Sequence, residues 1–126
     1  LDYSPADRAE HLRRVAHVCK ILNDQGIITI CSFISRNDSL RRQVAEIIGE
    51  ERFHLFYMNA ALEYCKNNKP ELYKKAEEGK ITNLPGIDME FEVPGNAKGV
   101  FNPEENEQNL NTILDYLAKN KVFPVQ

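Results

Sequence analysis

The sequence predicts an α/β domain, a doubly wound parallel sheet with flanking helices, on three observations. Apolar residues recur at three- and four-residue steps in segments bounded by caps and glycines. Between these segments lie short apolar, β-branched runs without polar alternation, as a strand covered on both faces requires. The two kinds of segment alternate along the chain, and such alternation builds parallel sheets through right-handed crossovers.

The first helix is expected to open at Ser4-Pro5-Ala6-Asp7, with Ser4 as N-cap, Pro5 at the first helical position and an acidic first turn. Leu12, Val15, Ala16, Cys19 and Leu22 then share one face until Gly26 ends the helix. Ile27-Ile28-Thr29-Ile30-Cys31-Ser32-Phe33-Ile34 follows as the expected central parallel strand. Asn37-Asp38-Ser39 caps a second helix, with Leu40, Val44, Ile47 and Ile48 facing inward and Gly49 as its stop. Residues 53–58 read as another short strand, and residues 60–68 and 70–78 as helical stretches ending at Gly79. Residues 80–102 have weak periodicity and read as a long functional loop with a short strand at Gly99-Val100-Phe101. Asn102-Pro103-Glu104-Glu105 supplies cap signals for a last helix, with Leu110, Ile113, Leu114 and Leu117 inward. No internal repeat or low-complexity segment interrupts this order.

The 126 residues make one domain's worth of chain, and 42% hydrophobic with 28% charged residues is the balance of a globular protein with a core. A formal charge of −3 offers no overall field for a nucleic acid polymer, so an anionic ligand needs a local cationic cluster. Cys19, Cys31 and Cys65 show no zinc-like spacing and read as buried thiols in a reducing compartment, and no metal site is expected within the chain. No run reaches the roughly 18 apolar residues that would cross a bilayer, and no signal peptide is visible, so a cytoplasmic location and no membrane partner are expected. The chain begins at Leu1, and the expectation is that it starts partway into a longer protein.

Asp7-Arg8-Ala9-Glu10-His11-Leu12-Arg13-Arg14 is the densest cationic cluster. Arg8 and His11, three apart, share a helix face and can reach one ligand together, the guanidinium fork suiting phosphate or sulfate oxygens. The plainer reading is a solvated face with Glu10 and Arg14 as an i,i+4 pair. Ser35-Arg36 at a strand end either presents a hydroxyl, N–H groups and a guanidinium to a ligand or is an ordinary strand-to-helix turn. Lys74 and Lys75, with Lys66, Lys69 and Lys80 nearby, form either a phosphate-closing lid or a merely wet helix. Gly79-Lys80-Ile81-Thr82 imitates the end of a GxxxxGKS/T phosphate loop, but Lys74 stands where its first glycine belongs. His17 and His54 read as packed core histidines. No GxSxG, HExxH or Ser/His/Asp arrangement is present.

Taken together, these motifs resemble the adenylylsulfate (APS) kinase family. Residues 1–14, Leu1-Asp2-Tyr3-Ser4 through Asp7-Arg8, Glu10 and Arg13-Arg14, are similar to LGFSxxDRxENIRR. Ser32-Phe33-Ile34-Ser35 matches SFIS, and Leu72-Tyr73-Lys74-Lys75-Ala76 matches LYKKA. Gly86-Ile87-Asp88 followed by Phe91-Glu92-Val93-Pro94 is similar to GIDxxYExP. The resemblance implies a P-loop NTPase kinase-like fold that serves sulfate assimilation, moving the γ-phosphoryl of ATP, with Mg²⁺, to the 3′-hydroxyl of adenylylsulfate. It also implies a small-molecule nucleotide partner and, since family members are often dimers, a homodimer. The family's phosphate loop and DGDxxR segment precede the part matching residue 1. The chain is therefore expected to be the C-terminal portion of a single kinase-like domain, lacking about 40–50 residues of a strand, loop and helix, with catalytic residues upstream and the fragment inactive alone.

The resemblance assigns substrate binding to Tyr3, Arg8, His11, Ile34, Ser35, Lys74, Lys75 and Leu84. Arg8 would clamp the anionic 5′ side, His11 would touch ribose or base, Tyr3 and Leu84 would line the base pocket, Ile34 and Ser35 would present the strand end, and both lysines would close a lid. Several of these positions depart from the family pattern. Leu84 replaces the second of two aromatics that sandwich the adenine, His11 replaces an Asn, and Arg36 replaces the Pro of SFISP. Residues 68–73 shorten the lid pattern RDPKGLY by one. Stacking on a base contributes about 1–3 kcal/mol, so the loss at Leu84 loosens the purine grip without altering phosphoryl chemistry. Two alternatives follow: a related kinase acting on the 3′-hydroxyl of cytidine diphosphoramidate for capsule modification, or an inactive regulatory nucleotide-binding domain such as those fused to sulfurylases.

Overall fold

The computed structural model describes residues 1–84, 87 and 89–123. Helix α1 (Pro5–Asp24) opens as expected: Ser4 caps it by accepting from the Asp7 amide at 3.2 Å, with Pro5 in the first turn. Ala16 and Cys19 are its buried residues, and Leu12, Val15 and Leu22 are half-buried on the same face. Helix α2 (Asp38–Ile48) packs against α1, and its expected inward residues Leu40, Val44, Ile47 and Ile48 are half-buried around fully buried Arg41 and Ala45. Gly49, at φ +102°, stops it in a backbone state that L side chains rarely adopt.

A 3-10 turn (Glu50–Arg52) leads to strand β1 (Phe56–Met58). Helices α3 (Leu62–Asn68) and α4 (Pro70–Glu77) carry the chain across toward strand β2 (Gly99–Phe101), and α5 (Asn106–Lys119) closes the order. β1 and β2 pair in parallel, Phe56 opposite Gly99, Tyr57 opposite Val100 and Met58 opposite Phe101. The ladder continues at each end, Lys98 N donating to Leu55 O at 2.7 Å and Asn59 N to Phe101 O at 2.8 Å. The architecture is thus α/β, a parallel sheet with flanking helices, with an aromatic cluster of Phe56, Phe101 and Tyr116 behind the strands.

The largest departure from expectation is residues 27–34. Among the described residues the run has no regular secondary structure and no strand pairs with it, so it is not the central strand of the observed sheet. Ile30 is 95% exposed, and Ile27, Ile28, Phe33 and Ile34 are also exposed. β-branched residues fix an extended backbone, whereas a ladder needs a second strand about 4.8 Å away. Between this run and β1 lie open grooves of about 470 and 510 Å³ instead. The run is tied down on its other side. Ile27 N donates to Leu22 O at 3.0 Å, Asn23 Nδ2 to Ile27 O at 2.9 Å, and the Cys31 and Cys19 thiols meet at 3.5 Å.

Smaller corrections have local causes. The last helix starts a turn later than its cap signals suggest, because Asn102 closes a turn of its own. Its side chain accepts from Glu104 N at 3.0 Å, and its carbonyl accepts from Glu105 N at 3.0 Å and Asn109 Nδ2 at 2.6 Å. The helix turns Asn109 inward, and the expected inward residues Leu110 and Leu114 are exposed. His17 is exposed rather than packed, since it lies on the outer face of α1, whereas His54 is half-buried. Of the three thiols only Cys19 is buried; Cys65 is half-buried, and Cys31 is exposed along with the unpaired run that carries it. Gly86 and Asp88 of the 86–88 motif lie outside the described residues.

Candidate functional site: a cationic cleft at the start of α1

The N-terminal turns of α1 and the turn that leads into α2 face one another across a cleft of about 660 Å³. Tyr3, Arg8 and His11 line one wall and Phe33, Ile34 and Ser35 the other. Five of the eight residues singled out in the sequence therefore converge on one cavity.

Arg8 is fixed at both ends of its fork. Its Nε donates to Tyr3 O at 3.0 Å and its Nη2 to Asn83 O at 2.8 Å, and the guanidinium lies 5.7 Å from the centroid of the Tyr3 ring. Two of the five N–H donors of an arginine are thus engaged, and the others remain for an anion among the described residues. The neighbouring cations do not compete for the cleft. Glu10 accepts from Arg13 at 2.7 and 2.8 Å and from Arg14 at 2.8 Å, which is the solvated pairing expected of that face. Hydrogen bonds from Arg13 and then Arg14 hold the Glu10 carboxyl down at about 2. Arg36 adds positive charge to the same cleft, and Asp2 also lines it as a carboxylate, its charged form favoured by the Ser4 N–H, which donates to Oδ1 at 2.7 Å. The His11 ring meets Phe33 edge-to-face at 5.6 Å, which orients the imidazole across the cavity mouth.

Leu84 lies on the far side of the 32–35 segment, in the groove of about 470 Å³ that also includes Tyr73, Phe91 and Pro94. Residues 32–35 border both cavities, and the Arg8–Asn83 bond brings residue 83, next to Leu84, against the Arg8 side. Lys74 and Lys75 are exposed on α4 and line neither cavity; their neighbours Lys66 and Lys80 are paired with Glu77 at 3.0 Å and Glu78 at 2.6 Å.

Sequence reading missed Arg41. Its place one turn into α2, among the polar residues of an amphipathic pattern, marks it as solvent-facing, yet it is only 2% exposed. Its guanidinium donates to the Ser35 carbonyl, to Asp38 Oδ1 at 2.6 and 3.1 Å, and to the Glu92 carbonyl at 2.5 Å. The signal available in sequence was the i,i+3 spacing of Asp38 and Arg41.

Among the described residues no three or more His, Cys, Asp or Glu side chains cluster so as to hold a metal ion, and no helix is long and apolar enough to cross a membrane.

Known proteins carry the same pattern. The profile of the family described as Adenylylsulphate kinase matches residues 1–102. An adenylyl-sulfate kinase of Staphylococcus carnosus is 38% identical over 98% of this chain and 63% of its own length. One of Clostridium kluyveri is 40% identical over 94% of this chain and 60% of its own. The chain thus spans somewhat under two thirds of the curated relatives it matches. The structure of Mycobacterium tuberculosis APS kinase in complex with AMPPNP and APS superposes with a TM-score of 0.85 at 30% identity, covering 93% of this chain and 70% of that one. With fold, motif order and profile in agreement over most of its length, the chain belongs to the adenylylsulphate kinase family.

Proposed function

We propose that the protein bearing this chain is an ATP-dependent kinase that phosphorylates the 3′-hydroxyl of adenylylsulfate, and that the chain is the C-terminal portion of a single kinase domain, supplying the acceptor-nucleotide side of its site. The observation that carries this reading is the convergence of Tyr3, Arg8, His11, Ile34 and Ser35 on one cleft, with Arg8 held there by bonds to Tyr3 O and Asn83 O. The partial-domain reading is supported by residues 27–34, an apolar, strand-forming run that leaves Ile27, Ile28, Ile30, Phe33 and Ile34 exposed.

Phosphoryl transfer is chiefly positioning and charge neutralisation, so the acceptor must be held by its anionic end with its ribose directed at the donor. In the proposed site Arg8 takes the 5′-side anion through paired N–H donors. His11, oriented by Phe33, contacts ribose or base, and Ile34 and Ser35 present the backbone next to the transferred group. Tyr3 borders the base in the cleft, Leu84 lies in the neighbouring groove across the 32–35 segment, and Leu84, Lys74 and Lys75 come to the nucleotide only on closure. ATP, the cofactor that supplies the phosphoryl group, docks on the remainder of the domain. The proposed enzyme is placed in the cytoplasm, where its nucleotide substrates ATP and adenylylsulfate would be met.

The test is Arg8→Ala in the whole protein. Loss of a charge-assisted bond to the acceptor raises the KM for adenylylsulfate by about tenfold to a hundredfold and leaves that for ATP unchanged. Unchanged acceptor binding removes Arg8 from the site. Parallel assays with cytidine diphosphoramidate address the acceptor itself, and faster turnover of the cytidine compound overturns the adenylylsulfate assignment.

A further inference from the structure

We infer that Arg41 is the positioning residue of the acceptor cleft, a buried bolt that sets the Ser35 turn and clamps it to the segment around Phe91 and Glu92. This inference rests on the proposed function for its link to the acceptor, and on geometry alone for the bolt itself.

Ser35 has φ +41°, in the left-handed region that a non-glycine residue occupies only when its surroundings enforce it. Enforcement comes from Arg41, whose Nη1 donates to the Ser35 carbonyl. The same guanidinium reaches in three further directions. Nε and Nη2 donate to Asp38 Oδ1, closing the first turn of α2, and Nη2 also donates to the Glu92 carbonyl. Its carbon lies 5.7 Å from the centroid of the Phe91 ring, which in turn stacks on Tyr57 of β1 at 5.8 Å and 17°. Two further bonds fasten the same loops from outside. Glu92 N donates to Arg36 O at 2.8 Å, and Asp38 N donates to Glu92 Oε2 at 3.0 Å.

One planar cation therefore joins the 35–38 turn, residues 91–92 and, through Phe91, strand β1. A buried charge is tolerated only when it is paired and its donors are satisfied, and here the Asp38 carboxylate and two carbonyls do both. A lysine cannot substitute, because three donors on one nitrogen cannot span carbonyls and a carboxylate that a guanidinium fork reaches in one plane. The consequence lies at the site. Residues 33–35 form the shared wall of the two cavities, so releasing the Ser35 carbonyl moves the backbone that faces the acceptor.

The experiment compares Arg41→Lys with wild type in the whole protein by two measurements. Amide hydrogen exchange is expected to accelerate in residues 33–38 and 90–93 together, with α5 unaffected. The KM for adenylylsulfate is expected to rise about tenfold or more with the KM for ATP unchanged, and added guanidinium ion is expected to restore part of the loss in Arg41→Ala. Should Arg41→Ala fail to fold, Asp38→Asn removes the charged partner and is expected to give the same two-loop exchange pattern more weakly. The inference is overturned if exchange in the two loops stays at wild-type rates, or if both KM values move together. A wild-type protein that does not turn over adenylylsulfate defeats the functional proposal instead, and the exchange result still decides the bolt.

Discussion

Residues 27–34 and residues 53–58 are both short, apolar and rich in strand-forming side chains, yet only the second contains a strand. In β1 the backbone N–H and C=O groups meet those of β2, and Phe56 rests edge-to-face on Phe101 at 5.9 Å. Residues 27–34 form no such ladder among the described residues, are anchored to α1 by Asn23 and by the Cys19 contact, and leave Ile30 almost fully in solvent. The difference separates two quantities that sequence patterns merge. Side-chain branching decides whether a run is extended, and the company it keeps decides whether it is a strand.

The sharpest way to break the comparison is a pair of truncations. Phe101 is buried, so Phe101→Ala is expected to cost about 3–5 kcal/mol in urea unfolding, whereas Ile30→Ala in the same chain is expected to stay within about 0.5 kcal/mol. Equal losses would mean that the open run bears as much of the stability as the paired one. If the whole protein seats another strand on residues 27–34, as proposed, Ile30→Ala costs about 2 kcal/mol or more there. A smaller effect is expected at Gly99. A Cβ at that position would lie 2.6 Å from Phe101 Cζ and 2.7 Å from Cε2, so Gly99→Ala must push the ring out of its packing and is expected to cost about 1–3 kcal/mol. A neutral result would show that the Phe101 ring shifts freely and that the ladder rather than the ring cluster holds β2.

What could be read from the sequence follows the same division between local and nonlocal causes. Ser4, Pro5 and Gly49 act within one turn of chain, and the helices they bound stand where expected. Asn102 is also local, but it offered two competing uses, a helix cap or a turn, and the bonds from Glu104, Glu105 and Asn109 decided for the turn. Arg8 and His11 were legible as a shared helix face, and motif order linked them to Ile34 and Ser35. Arg41 was not, because its burial depends on carbonyls at residues 35 and 92 that no spacing rule brings together. Leu84 and the two lysines illustrate the same limit: matching a motif placed them in a site, and packing sets them in a second groove and on an outer helix face.

The smallest expected effect concerns His54, which leads into β1 and lines the groove toward residues 27–31. Its Nδ1 is 2.8 Å from the Tyr116 hydroxyl, with the rings edge-to-face at 5.4 Å. Burial first, and then the positive charge of Lys98, push the imidazole below its ordinary value of 6.5. With the folded value the lower of the two, the unfolded chain binds the proton more readily. The contribution is therefore fully present above the ordinary imidazole value and is lost as pH falls through the folded one. Unfolding measured from about pH 7.5 down to about pH 5 should show wild type losing stability relative to His54→Gln across that window. A constant difference between the two proteins over the window would mean that the ring is solvated well enough to titrate normally. A strand seated in the groove would desolvate the same ring further, so the whole protein should show the steeper loss, and the slope becomes a measure of whether residues 27–34 have found their partner.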